Sequence, residues 1–482
     1  MKIDAVFSLL LLLLALQSCA LGPDYRRPDL PVPEAFRHEK PGMPADSFGD
    51  IHWQSVYPDP TVQALIKEAL TAAPDLLLAE ARVREAEALA GVVRADLFPQ
   101  VGLSFTTTPT ARPPGEHFAA TYTGGVGISW EIDLWGRLRR ADEAARATLM
   151  ASEEARRGVV TALIADVAAH YYQMMAYRDA YQVALRTANN QRDALRLENR
   201  LADSGIASAA EVRQQEVALA ETEASLPDLR RKMATSENGL SILLGRIPGA
   251  IPIAAPSSPQ LPQAIPPGLP SRLLERRPDV RAAEQQLIAA NAKVGEAKAL
   301  FFPDLSLTGF FGGVSSHAKD LLKGDAATIA TLGADALQPL FAGGFYVFNY
   351  RTALARLDEA LLEYRKKVLT ALSEVASALT DYLEMGELLA IQERRVFSAR
   401  ESLRLAEQRY RSGVISYIEV LDAQRQLFAA ETEQVNSVFE RHLALIRTYL
   451  ALGGGWEEPG PSEQAADGDP AMEKANAIPP AE

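Results

Sequence analysis

Four short stretches of the chain alternate between apolar and polar residues, and two very long ones keep helix-forming residues without a break. From Val126 the order is Val126-Gly127-Ile128-Ser129-Trp130-Glu131-Ile132-Asp133-Leu134, apolar at every even position. Val101 to Thr106 and Leu305 to Thr308 alternate in the same way, and 328–337 does so weakly. A period of two predicts strands, paired as hairpins over 100–134 and 303–340 with loops at Pro109–Ala120 and Gly312–Ala327. The long stretches, 137–202 and 345–412, contain no proline and are rich in Ala, Leu, Arg, Glu and Gln, all good helix formers. At the helical rise each would span about 100 Å. Ser204-Gly205 and Ser412-Gly413 follow them, with glycine where a helix end takes a left-handed residue. Ser208 and Ser416 then stand as N-caps of shorter helices over 209–244 and 417–452. Each long helix is therefore expected to fold back on its successor as an antiparallel coiled-coil hairpin. Further helices are expected over 61–96, interrupted near Pro74, and over 271–300.

The chain also repeats itself. Ala73-Pro74-Asp75 and Leu97-Phe98-Pro99 match Arg277-Pro278-Asp279 and Phe301-Phe302-Pro303 at an offset of about 204. Arg200 to Ile206 matches Arg409 to Val414, and Leu243-Leu244-Gly245 matches Ala451-Leu452-Gly453, at about 208. Two collinear half-repeats follow, over 61–246 and 271–456, each ordered helix, two strands, very long helix, turn, helix. Between them 247–270 carries prolines at 248, 252, 256, 259, 262, 266, 267 and 270, a density that permits only an extended connector. Residues 19–60 are expected to be an extended tether and 457–482 a disordered tail.

The first residues address the chain elsewhere. Met1-Lys2, an apolar run from Phe7 to Leu16 and then Gln17-Ser18-Cys19 describe a signal peptide over 1–18. The only cysteine stands directly after the cleavage position, as in a bacterial lipobox, which implies covalent lipid on Cys19 and an anchor in the outer membrane. Acyl chains contribute roughly 0.8 kcal/mol per buried CH₂. Beyond this segment no run approaches the ~18 apolar residues of a spanning helix. The net charge of −13 at pH 7 argues against nucleic acid as a partner. One cysteine excludes a disulfide framework, and the six histidines lack close ligand spacing, so neither metal nor other cofactor is expected. The glycine clusters lack the Gly-Lys-Ser/Thr ending of a phosphate loop. No catalytic constellation is present, and the chain is expected not to be an enzyme.

Strands apolar on one face and polar on the other suit an outer-membrane barrel. They would also suit a soluble sandwich, and the helices an isolated coiled-coil spacer. For the barrel reading, four strands cannot close in lipid, where every edge must be paired and the smallest barrels have about eight. Several chains must then share one wall; two would supply eight strands and three would supply twelve.

Leu21-Gly22-Pro23-Asp24-Tyr25-Arg26-Arg27-Pro28 after the acylable cysteine resembles the mature start of the NodT/OprM-type outer-membrane efflux lipoproteins, relatives of TolC. Leu274-Glu275-Arg276-Arg277-Pro278-Asp279-Val280-Arg281-Ala282-Ala283-Glu284 and Gly413-Val414-Ile415-Ser416-Tyr417-Ile418-Glu419-Val420-Leu421-Asp422-Ala423-Gln424 resemble the same family. The resemblance, from about Cys19 to Trp456, implies a mainly α protein with transmembrane β-strands in a TolC-like tandem-repeat fold. It implies a homotrimer whose 12-stranded β-barrel continues into a long periplasmic α-helical barrel. It further implies a passive exit duct for small toxic compounds, docked to a periplasmic membrane-fusion adaptor and an inner-membrane pump of the resistance-nodulation-division type. By the same resemblance the hairpin tips close the duct: Glu419 and Asp422 match acidic rings and Ile418 an apolar constriction. Positions 418 and 422 share a helix face. Tyr410 and Glu211 match a hydrogen-bonded latch between neighbouring hairpins in the TolC branch, although Ile415 stands where that branch has its latch arginine. The competing assignment is a non-conducting lipid-anchored periplasmic coiled-coil adaptor, which would carry one helical hairpin rather than two.

Overall fold

The computed structural model describes residues 20–36, 47–110, 119–206, 208–253, 261–262 and 264–456. The signal peptide, Cys19 and the tail 457–482 lie outside the described residues. After a 3-10 turn at Phe48–Asp50 the elements are α1 (Trp53–Val56), α2 (Pro60–Ala72), α3 (Pro74–Ala95), β1 (Gln100–Thr110), β2 (Ala119–Glu131), α4 (Arg137–Asp203) and α5 (Ala209–Leu243). The second half follows as α6 (Pro270–Arg276), α7 (Pro278–Ala299), β3 (Asp304–Ser315), α8 (Ala318–Lys323), β4 (Ala327–Leu337), α9 (Phe345–Arg411) and α10 (Tyr417–Ala451).

The internal repeat is kept to the residue. Helices α4 and α9 have 67 residues each, α5 and α10 have 35, and α3 and α7 have 22. The pairing registers locate where the offset changes. β1 pairs with β2 from Gln100↔Ser129 to Thr110↔Ala119, and β3 pairs with β4 from Asp304↔Leu337 to Val314↔Ala327. The first strands of the two hairpins differ by 204 and the second strands by 208, so the second hairpin loop is four residues longer. Helix α8 stands in that loop.

The described residues form two compact units. The first comprises 20–33, Asp75–Arg156 and Arg277–Ser373; the second comprises the described parts of 34–74, Arg157–Arg276 and 374–482. The first contains the sheet, antiparallel throughout in the order β1-β2-β3-β4. Cross-strand partners share a face, so Val101, Leu103 and Phe105 lie with Val126, Ile128 and Trp130, Leu305, Leu307 and Phe311, and Leu332. This apolar face is open: Leu103 is 70% exposed, Phe105 67%, Phe311 65% and Leu332 92%. The opposite face carries Ser104, Thr106, Ser129, Glu131, Ser306, Thr308, Thr331 and Asp335. β3 runs on to Ser315, past Thr308 and into the loop expected at 312–327. Its period is hidden because Phe310 and Phe311 are adjacent. Phe310 points to the polar face, where its ring lies over Gly125 and Gly312.

Strand passes to helix under tight local control in the first repeat. Asp133 accepts from the backbone N–H groups of Leu138 (3.2 Å) and Arg139 (2.9 Å), and Arg137 pairs with Glu131 at 2.6 Å. A carboxylate there satisfies orphan N–H groups and opposes the positive helix end. The same hydrogen bond recurs in both halves: Trp130 Nε1 donates to the Leu97 carbonyl at 3.0 Å, and Gln338 Nε2 to the Phe301 carbonyl at 3.1 Å. Against this junction lies a strap, residues 20–28. Leu21 N–H donates to the Trp135 carbonyl (3.0 Å), Arg140 binds the Leu21 carbonyl and Asp24, and Asn291 donates to the Pro23 carbonyl (2.9 Å). Tyr25 and Arg27 both donate to Glu284, at 3.0 and 2.6 Å. Gly22 meets Gly295 so closely that a Cβ on Gly22 would stand 2.4 Å from the Gly295 Cα. The strap thus sets Ala20 against Gly136, where the chain turns from strand into α4.

In the second unit Tyr57, Tyr171, Val62 and Ile66 are fully buried, and Tyr449 meets Phe48 and Tyr57 edge-on. Two of the three hydroxyls are placed as burial demands: Tyr171 donates to Asp59 (3.2 Å), which caps α2 through Thr61 N–H (2.8 Å), and Tyr449 donates to the Ile51 carbonyl (2.7 Å), while the Tyr57 hydroxyl is buried without a hydrogen-bond partner among the described residues.

Candidate functional site

Both hairpin tips begin with the same helix stop. Gly205 and Gly413 have φ of +75° and +73°, the left-handed region that glycine enters without penalty. Ile206 N–H bonds the Leu201 carbonyl and Gly205 N–H that of Ala202; Val414 bonds Arg409 and Gly413 bonds Tyr410. These are two Schellman motifs, and the hydroxyls of Ser204 and Ser412 add bonds to the Arg200 and Gln408 carbonyls, at 2.9 and 3.0 Å.

The starts of the return helices differ. Ser208 Oγ accepts from Glu211 N–H (3.2 Å) and the Glu211 carboxylate accepts from Ser208 N–H (2.8 Å), a closed capping box. Ser416 holds the equivalent position but makes no side-chain cap bond, so its expected capping role is not realised. Glu419, the counterpart of Glu211, is consequently left facing solvent. Ser208→Ala is expected to destabilise α5 by about 1 kcal/mol, and Ser416→Ala to change α10 by less than about 0.5 kcal/mol. Amide hydrogen exchange in the first turn of each helix measures both; equal losses would contradict the asymmetry.

Helix α10 presents two faces at the tip. Tyr417, Val420 and Leu421 are buried against Ala218, with Ala194, Leu403, Ala406 and Tyr410 packed around them. Ile418, Glu419 and Asp422 occupy the other face and are exposed, Ile418 by 45%. The structure brings these three together on one surface one turn long.

Tyr410 is bonded elsewhere than expected. Its hydroxyl donates to Glu198 Oε1 at 2.9 Å, while Glu211 is held by its own capping box, so within the chain Tyr410 and Glu211 are not bonded to each other. Glu198 is 1% exposed, and its Oε2 has no hydrogen-bond partner among the described residues. Burial raises the Glu198 pKa above the usual carboxylate range and nearby Glu211 adds to this, while the Tyr410 bond opposes it. Tyr410 is pushed up to about 12, first by burial and then by Glu198 and Glu211. Its ring lies 5.1 Å from that of Tyr417, whose hydroxyl donates to Gln215 Oε1 (3.1 Å); Gln215 Nε2 in turn donates to the Gln191 carbonyl (2.9 Å). One buried network therefore joins α4, α5, α9 and α10.

Sequence reasoning missed Glu198, Gln191, Gln215 and the role of Tyr417, yet the repeat held a signal. At an offset of 208 their counterparts are Ala406, Ala399, Ala423 and Ala209, and that of Tyr410 is Ala202. Every member of the network stands opposite an alanine in the other half.

Comparison with known proteins agrees with this architecture. The family model described as outer membrane efflux protein matches residues 65–246 and 269–454. The cation efflux system protein CusC of Escherichia coli is 32% identical over 451 residues, covering 92% of this chain and 97% of CusC. The toluene efflux pump outer membrane protein TtgF of Pseudomonas putida is 34% identical over 461 residues, covering 92% and 95%. The solved outer-membrane channel OprN superposes with a TM-score of 0.84 at 32% identity, over 91% of this chain and 100% of that one. These relatives are channels with a TolC-like fold, which sets aside the non-conducting adaptor. The chain belongs to the outer membrane efflux protein family and is an outer-membrane efflux channel.

Proposed function

We propose that three copies of this chain close a single tube, β1 of each protomer pairing with β4 of the next to make a twelve-stranded barrel. The observation that carries this reading is the sheet itself: its outer face is apolar and exposed, and both edge strands are unpaired on their outer sides among the described residues. Hydrocarbon offers no hydrogen bonds, so those edges must be satisfied by further protein. The helices continue the wall as a periplasmic duct. It docks to a periplasmic membrane-fusion adaptor and an inner-membrane pump of the resistance-nodulation-division type. The pump supplies the energy, and the duct conducts small toxic compounds without catalysis or cofactor. Lipid on Cys19 anchors the mature N-terminus, in keeping with the strap that seats Ala20 at the strand-to-helix junction.

The gate of this duct is assigned to the tips. Ile418 supplies an apolar constriction, and Glu419 and Asp422, repeated by symmetry, supply carboxylate rings that attract cations. Tyr410 acts as an internal latch. Purified protein in planar bilayers tests both levels. Conductance steps from a particle with three subunits are expected, and the joint change Glu419→Ala and Asp422→Ala is expected to raise the unit conductance and reduce cation preference. A monomeric, non-conducting particle would overturn the duct; wild-type conductance in the double variant would overturn the gate.

A further inference from the structure

The four residues by which the second hairpin loop exceeds the first form part of a structure of their own. Helix α8, six residues long, ends at Gly324 in the left-handed conformation (φ +80°), and Asp325 N–H returns to the Asp320 carbonyl at 3.0 Å. Ser315 Oγ donates to Asp320 Oδ2 (2.7 Å) and receives His317 N–H (3.1 Å), which ties the helix to the end of β3. The segment is thus a built turn with its own hydrogen bonds.

Its position on the sheet is decided by two glycines. Gly124 pairs with Phe105 and with Gly313, so all three lie on the apolar face. Cβ atoms added at Gly124 and Gly313 would stand 3.5 and 3.2 Å from the two methyl groups of Leu321. Leu321 therefore covers that face beside Phe105, and α8 lies on the side of the sheet that meets lipid, at the end away from the long helices.

The rest of α8 has no protein to meet there. At 100° per residue, Leu322 points beside Leu321 and away from the strands, and it is 85% exposed. Lys319 and Lys323, one turn apart, lie together on the adjoining side, exposed and without an ion-pair partner among the described residues. Asp320 occupies the opposite side, engaged by Ser315. A leucine next to two lysines, continuous with a lipid-facing surface, is the pattern of an interfacial helix: apolar side chains in the acyl boundary, ammonium groups at the headgroup phosphates.

We propose that α8 is a lipid-binding foot of the channel, with Leu322 in the acyl region and Lys319 and Lys323 on the phosphates of an anionic glycolipid of the lipid A class in the outer leaflet. The inference rests on the outer-membrane reading but not on the number of subunits. The test uses the full-length channel reconstituted in vesicles with and without lipid A. In Leu322→Trp the added fluorescence, taken as the difference from wild type, is expected to be blue-shifted and quenched by brominated acyl chains. An added signal quenched by aqueous iodide instead would overturn the proposal. For the lysines, Lys319→Gln with Lys323→Gln is expected to reduce the lipid A retained on the purified channel, read by native mass spectrometry, about tenfold, since each basic residue near an anionic surface contributes appreciably. Unchanged retention would overturn the lysine assignment. Conductance measured on the same samples should stay at the wild-type value. Its loss in every sample, wild type included, would count against the channel reading rather than against the foot.

Discussion

Leu103→Arg is expected to remove the channel from the outer membrane, whereas Ser104→Arg, one residue further on, leaves it assembled. The two positions differ only in which side of β1 they occupy. Leu103 pairs with Val126 on the apolar face and Ser104 with Gly125 on the polar one. An arginine on the lipid face near mid-membrane costs about 2–4 kcal/mol per chain, and three chains share one wall in the proposed trimer. That sum is comparable to the net stability of a folded domain, about 5–15 kcal/mol. At residue 104 the same side chain projects into water. The readouts are the amount of trimer resistant to detergent in isolated outer membranes and the conductance of whatever is recovered. If both variants assembled equally well, the assignment of faces would be wrong.

Tyr410→Phe should loosen the hairpin tip more than any other single hydroxyl deletion there. The change leaves Glu198 buried with neither oxygen bonded, since Oε2 already lacks a partner. Losing the donor to a buried acidic group costs about 1.5–3 kcal/mol, which the contact between α4 and α9 must absorb. The expected result is a larger or more frequent open state in bilayer recordings. Glu198→Gln keeps an acceptor for Tyr410 and removes the charge, so it should hold the tip closed. The pH response separates the two. Burial sets the Glu198 pKa above its ordinary 4.5, so the closed tip takes up a proton more readily than a loosened one. The stabilisation is fully present below the ordinary value and is lost as pH rises through the raised one. Acidification from neutral pH should therefore favour the closed tip in wild type. The other ionisable groups coupled to this site are Tyr410, Tyr417, Glu211 and Glu407; all four remain in Glu198→Gln, whose response should be flat. A Glu198→Gln channel that kept the wild-type pH response would sink this account.

The parts of this fold that were legible in the sequence are those decided within a few residues. A run of 67 residues without proline and rich in good helix formers favours helix over its whole length from local geometry, and Gly205 and Gly413 stop it because only glycine enters the left-handed region cheaply. The alternation at 101–105 and 126–130 was equally local. Where the reading fell short, the deciding neighbour was distant or the pattern was broken. Phe310 sits on the polar face because Gly125 and Gly312 leave room for its ring, so the adjacent phenylalanines concealed half of β3. Ser416 has the residue type and spacing of Ser208, yet only Ser208 closes its box.

The candidate site divides along the same line. Ile418, Glu419 and Asp422 could be placed on one helix face from spacing alone, because a single helix carries all three. The acceptor of Tyr410 could not. Glu198 lies 212 positions away, and Glu211, the partner suggested by resemblance, satisfies its own helix start instead. Comparison of the two halves would have flagged the network, since duplicated positions that exchange alanine for tyrosine, glutamate or glutamine mark where the repeats have taken different tasks.

By itself, then, the sequence determined the elements and their duplication: which stretches are helices, where they stop, which strand positions are apolar, and that one copy has too few strands to seal a membrane. These follow from backbone geometry and periodicity, which act over one or two turns. The tertiary structure decided which carboxylate receives Tyr410, which serine caps its helix, and on which side of the sheet α8 settles. Each of those depends on atoms brought together from segments far apart in the chain, and a hydrogen bond or a buried contact forms only where packing has put both partners.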